Sequence, residues 1–163
     1  MKPLYEDEFW NASVQWTRPM VYDHAVSNGS EYDSLSSFYM ILGRYSNQPA
    51  KIMYIGMTFS QSVKTRLCQP DHQRRYAAFK GAHKHHWFQV SHGLLTINNG
   101  NFTEKRVKDI EQLLIYTYTK DSAHVKNLKS IYSHGVTGSY LVRNTGYRSS
   151  LPRKLSYGLF LTK

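Results

Sequence analysis

Tyr54-Ile55-Gly56 stands ten residues ahead of Arg66, and Glu111 follows in a stretch patterned as a helix. A turn closing a strand, an arginine and an inward carboxylate are parts that cutting a phosphodiester would need. Arg66 could hold a phosphate through two parallel hydrogen bonds. Glu111 falls inside the apolar stripe Val107, Ile110, Leu114, Ile115 and Tyr118, all on one helical face. A carboxylate turned toward a core is costly unless it is paired, hydrogen-bonded or on a metal. Glu111 is then a metal ligand at the floor of a cleft, or else a boundary glutamate or one paired to a core arginine.

Tyr39 and Tyr54 fall on two adjacent strand-like runs, at positions that could share a face. Tyrosine is also a favoured strand residue. As a general base it would need a pKa below its usual value of about 10, which a neighbouring cation would supply. His72 follows Arg66 by six residues and His83, Lys84, His85 and His86 form a dense cluster. Their spacing fits no usual zinc motif, so the cluster reads as a basic loop. Cys68 reads as a small packed side chain with no activating neighbours.

The elements that would position these residues follow from pattern. Residues 1–34 read as irregular. Phe38 to Leu42 and Lys51 to Gly56 read as a hairpin about the turn Ser46-Asn47-Gln48-Pro49. Ser60 or Ser62 caps a short helix through Leu67, and a second helix covers Asp71 to Lys80 and stops at Gly81. Trp87 to Val90 is a third strand. Thr103 caps a helix running to about Tyr118, with Phe102 stapled onto Val107. Tyr140 to Val142 and Leu159 to Leu161 are later strand-like pieces. The chain is expected to be α+β, with a small three-stranded antiparallel sheet flanked by helices. Three segments are expected: an acidic N-terminal extension (1–36), a central domain (37–128) and a basic C-terminal extension (129–163) packed on it.

Charge points to a polyanion. The chain carries +10 overall, while residues 1–36 hold two basic and six acidic side chains, so the remainder carries +14. A basic surface of this kind suits nucleic acid. Lys64, Arg74, Arg75 and Lys84 are candidate contacts. So are Arg143, Arg148, Arg153 and Lys154 of the tail, interleaved with Tyr140, Tyr147 and Tyr157 in a mixture that suits backbone contact and base stacking. One cysteine and an acidic start lacking the form of a secretory signal fit a cytoplasmic protein. No apolar run approaches the roughly 20 residues of a membrane span, so no membrane partner is expected.

Taken together, residues 37–127 resemble the GIY-YIG nuclease domain, a family that includes homing endonucleases, some restriction enzymes and the incision subunit of bacterial excision repair. The first motif stands here as Ser37-Phe38-Tyr39, with only its tyrosine kept, and the second, Tyr54-Ile55-Gly56, is intact. Arg66 matches the arginine of the first helix. His72 stands two positions beyond the family's usual histidine. Glu111 matches the glutamate of the long helix, and Asn127 the asparagine that closes the domain. The resemblance implies a DNA endonuclease with one Mg²⁺ (or Mn²⁺) per active site, held by Glu111. It implies Tyr39 as general base with Tyr54 orienting the water, Arg66 on the transition-state charge, His72 as an aid, and Gly56 and Asn127 as bracing residues. A nuclease for RNA or branched DNA, or a binding module that does not cut, are the alternatives. One site per chain implies nicking or a homodimer.

Overall fold

The computed structural model describes residues 10–119 and 139–157. Among these residues seven strands and four helices follow one another as β1 (Trp10–Trp16), β2 (Met20–Val21), α1 (Tyr22–Ser27), β3 (Phe38–Tyr45), β4 (Lys51–Met57), α2 (Val63–Leu67), α3 (Pro70–Ala82), β5 (His86–Ile97), α4 (Glu104–Thr119), β6 (Tyr140–Gly146) and β7 (Lys154–Tyr157). All the strands join one curled sheet in the order β4-β3-β5-β1-β6-β7, with β2 also on β5.

The small three-stranded antiparallel sheet is therefore a misjudgement. The hairpin β3–β4 and strand β5 are present, but they are one end of a seven-stranded sheet. The sheet is mixed, because β1 runs parallel to β6 in register from Trp10 opposite Tyr140 to Trp16 opposite Gly146. Residues 10–16, read as irregular, form an inner strand in which Ala12, Val14 and Trp16 are buried in alternation. That alternation is the period-2 signature of a strand, masked in the sequence by Asn, Ser and Gln at the positions between. β5 also runs well past Val90, to Ile97.

The sheet has helices on both faces. Phe38, Met40 and Leu42 of β3 point to the face covered by α4, whose Val107, Ile110, Leu114, Ile115 and Tyr118 are all buried there. Tyr39 and Ile41 point the other way, into a second core built with Tyr22 of α1, Val63 and Leu67 of α2, and Tyr76 and Phe79 of α3. Ser62 caps α2 by accepting from the Thr65 N–H, and Thr103 accepts from the Arg106 N–H at the start of α4. Phe102 stacks on Phe59 with ring centroids 6.0 Å apart, where a staple onto Val107 had been expected. Helix α3 runs through Gly81 to Ala82, since a lone helical glycine costs only about 1 kcal/mol. Cys68 is exposed, not packed. Asn127 and the Leu159 to Leu161 piece lie outside the described residues.

Candidate active site

The hairpin brings Tyr39 and Tyr54 onto one face through a device that period alone does not reveal. The β3–β4 register shifts at Ile41/Leu42: Leu42 faces Ile52, but Ile41 faces Tyr54, leaving Met53 extra. A bulge re-aims every side chain beyond it. Met53 and Tyr54 consequently both enter the core that holds Tyr39, while Ile55 returns to the α4 face. Gly56 falls opposite Tyr39 in the ladder. A Cβ there would overlap the Tyr39 Cζ and hydroxyl and stand 2.8 Å from Tyr54 Cε1. The glycine is what lets the two phenol rings close over β4.

Helix α3 adds His72 and Arg75, three positions apart and so on one helical face. His72 is 1% exposed. Its Nε2 lies 3.0 Å from the Tyr39 hydroxyl. Arg75 Nη1 lies 3.2 Å from His72 Nδ1 and 3.4 Å from Nε2. A guanidinium only donates, so it needs a ring lone pair, and the shorter distance assigns that to Nδ1. His72 then carries its proton on Nε2 and donates to the Tyr39 oxygen. Tyr39 in turn hydrogen-bonds Tyr54, and Arg75 lies over the Tyr54 ring, 4.4 Å from its centroid.

Charge and burial set the protonation states. Burial, with Arg66 and Arg75 nearby, pushes the His72 pKa down to about 4, so the ring is neutral at pH 7. Burial pushes Tyr39 well above 10, against the pull of Arg66 and Arg75. Tyr54 is also raised by burial, and Arg75, Arg66 and the bond with Tyr39 oppose the rise. Tyr39 is wholly buried, and Tyr54 keeps 9% exposure. Of the two tyrosines, only Tyr54, the last member of the chain His72–Tyr39–Tyr54, keeps any exposure.

Glu111 reaches the same place from the opposite face. It accepts a hydrogen bond from the Met57 N–H, next to Gly56 at the end of edge strand β4. Burial raises its pKa from 4.5 to about 7, offset in part by that bond, Arg66 and Lys108. No salt bridge within 4.0 Å holds it among the described residues. Arg66 is a shared neighbour: its charge lowers the pKa of Tyr39, Tyr54, His72, Asp71 and Glu111. Gln69 accepts from Arg66, and Asp71 lies 3.5 Å from it, which fixes the guanidinium beside the cluster.

A poorly compensated, largely buried carboxylate fits a hard divalent cation, and one carboxylate is enough for Mg²⁺, which keeps several waters and shares phosphate oxygens. Among the described residues no group of three or more His, Cys, Asp or Glu could hold a metal, so Glu111 is a lone protein ligand in this reading.

The structure thus gathers Tyr39, Tyr54, Gly56, Arg66, His72 and Glu111. It also draws in Arg75, which the sequence had suggested only as a nucleic-acid contact; its i+3 relation to His72 was the available signal. Lys64 is half-buried on α2, while Arg74 and Lys84 are exposed. The tail residues lie elsewhere. Strand β6 is three places from β3, about 14 Å at the usual strand spacing. There Arg143 donates to Asn11 Oδ1, Arg148 donates to the Leu151 carbonyl, and Arg153 and Lys154 are exposed. No helix among the described residues is long and apolar enough to cross a membrane. Comparison with protein-family models, with curated proteins and with solved structures finds no match to this chain.

Proposed function

We propose that this protein is a divalent-metal-dependent endonuclease that hydrolyses phosphodiester bonds in DNA through the Tyr39–Tyr54–Arg66–His72–Glu111 cluster, as the GIY-YIG resemblance implies. The observation that carries the reading is convergence: a half-buried carboxylate with no salt bridge among the described residues, an arginine held by Gln69 and Asp71 and a hydrogen-bonded tyrosine pair meet around Gly56 from both faces of the sheet. Glu111 would hold one Mg²⁺ or Mn²⁺, which supplies positive charge to the scissile phosphate and leaving oxygen.

The remaining roles belong to the chain. Arg66 binds a non-bridging phosphate oxygen and meets the charge that grows there in the transition state. Tyr54, the less buried of the two tyrosines, orients the attacking water; in the assembled complex it first releases its own proton to solvent and then, as the phenolate, takes the proton of the water. Tyr39 stands behind it, since a wholly buried hydroxyl cannot meet the water itself. Neutral His72 donates to Tyr39, fixes its rotor and points the Tyr39 O–H at the Tyr54 oxygen. Arg75, over the Tyr54 ring, favours the phenolate that proton uptake requires. This moves the base role from Tyr39 toward Tyr54.

The test is incubation of the purified protein with supercoiled plasmid and Mg²⁺, beside Glu111→Ala and an EDTA control. Metal-dependent nicking or discrete fragments, absent in the variant while its DNA binding persists, is the expected result. Near-normal cutting by folded Glu111→Ala would overturn the role of the carboxylate.

A further inference from the structure

Past the catalytic cluster, α3 leads to a second feature that the proposed chemistry does not use. A groove of roughly 540 Å³ opens between α3 and the start of β5. Its cationic lining comes from Arg44, Lys80 and Lys84, and His83 and His86 flank them. Asp23 is its one carboxylate, and it is engaged, accepting from the Tyr76 hydroxyl at 3.4 Å. Trp87 also lines the groove, and at 74% exposure it is the most exposed large apolar side chain among the described residues. It stands opposite Arg44 in the β3–β5 ladder. Lys80 lies over the Tyr76 ring, 4.8 Å from its centroid, so its ammonium is held at the groove rather than free in solvent.

An open indole on a strand costs apolar exposure with no return inside the fold. Cations around it do not fit an apolar protein partner. They fit a ligand that has a flat π-face and an anionic backbone together. An unpaired nucleotide offers both, whereas in a duplex the faces are stacked on each other. We propose that this groove is a single-strand nucleic-acid subsite, in which a base stacks on Trp87 and its phosphates lie on Lys80, Lys84 and Arg44. Lys80 is eight residues beyond His72 on α3, about 12 Å along the helix. A strand seated in the groove would therefore run toward the cluster, and the preferred substrate would carry unpaired nucleotides next to the scissile bond. The groove stands or falls by binding alone, whether or not the cluster cuts.

The experiment is a titration of the full chain with short oligo(dT) in EDTA, read by tryptophan emission and by anisotropy of labelled DNA, beside a blunt-ended duplex of the same length. Oligo(dT) should quench the exposed indole. Trp87→Ala should weaken oligo(dT) binding by about 10-fold or more, the usual scale for one stacked base, and Trp87→Phe should recover most of it. Lys80→Ala with Lys84→Ala should flatten the slope of log affinity against log salt by roughly 1.4. Oligo(U) binding as tightly as oligo(dT) would support a subsite that reads base faces and phosphates rather than the sugar. Absence of quenching, or Trp87→Ala binding oligo(dT) like the parent, would overturn the proposal, as would a blunt-ended duplex that matches oligo(dT) in both readouts.

Discussion

Replacing Glu111 with Gln should stabilise the metal-free protein, and the gain should grow with pH. The folded carboxyl has its pKa raised from 4.5 to about 7. Between those values the folded protein keeps a proton that the unfolded chain releases, so stability falls as pH rises through the window. Above pH 7 the full penalty applies. At about 1.4 kcal/mol per pH unit it approaches about 3 kcal/mol, and partial solvent access trims it toward 2. Near pH 5 it is under about 1 kcal/mol, because the unfolded carboxyl gains little by ionising so close to its own pKa. Gln keeps the acceptor for the Met57 N–H and never ionises. Urea unfolding in EDTA should show the variant about 2–3 kcal/mol more stable than the parent at pH 8 and nearly equal at pH 5. In thermal melts that is roughly 5–10 °C for a chain of this size. Adding Mg²⁺ at pH 8 should raise the parent and leave the variant unmoved, since a ligand bound only by the folded state stabilises it. Parallel pH profiles for the two proteins would refute the reasoning, because the carboxylate would then not be desolvated.

Arg66→Ala should reduce cleavage by on the order of 10²–10³ at saturating DNA, read in single-turnover assays; loss of binding with an unchanged rate would make Arg66 a phosphate anchor only. Gly56→Ala should destabilise the fold by about 1–3 kcal/mol in denaturant titration, because the new methyl meets both tyrosine rings. A variant as stable as the parent would show that the rings are not held against β4.

Some of this arrangement is legible in the sequence and some is not, for physical reasons. The α4 stripe is legible because an amphipathic helix repeats its apolar face every three to four residues. The hairpin is legible because two apolar β-favouring runs bracket a Ser-Asn-Gln-Pro turn. The full sheet is not. Strand β1 pairs with β6, whose residues are more than a hundred positions away, and no local pattern announces so distant a parallel ladder. Inner strand β1 also carries polar residues between its buried ones, so its composition resembles a loop. Glu111 stands out by violating its own stripe. Arg75 does not, since an arginine on a helix is usually a surface residue and only the fold turns this one over Tyr54. The bulge at Met53 is invisible beforehand, yet it sets Tyr54 and Gly56 on the face of Tyr39. The tail's basic and aromatic mixture suggests nucleic-acid contact but says nothing of place, and the sheet sets Arg143 on β6, three strands from β3.

The protonation states carry one further consequence for the proposed chemistry. Between about pH 4 and 7 the free cluster holds neutral Tyr39, Tyr54 and His72 and a largely protonated Glu111 beside two guanidinium groups and the one Asp71 carboxylate. Its net charge is then positive, which favours an arriving phosphate and resists an arriving dication. Each group bound changes the terms for the other: a phosphate offsets Arg66 and Arg75, while ionised Glu111 offers the dication its ligand. Affinity for Mg²⁺ should therefore be weak in the free protein and stronger once a phosphodiester is seated, and by linkage the reverse must hold to the same degree. The buried tyrosine pair gives such coupling a purpose. Neither hydroxyl ionises readily while burial dominates; Arg66 and Arg75 oppose that burial in the free protein, and a dication seated nearby would oppose it further. If the proposed function holds, a site built this way would stay inert toward water until metal and nucleic acid are both present.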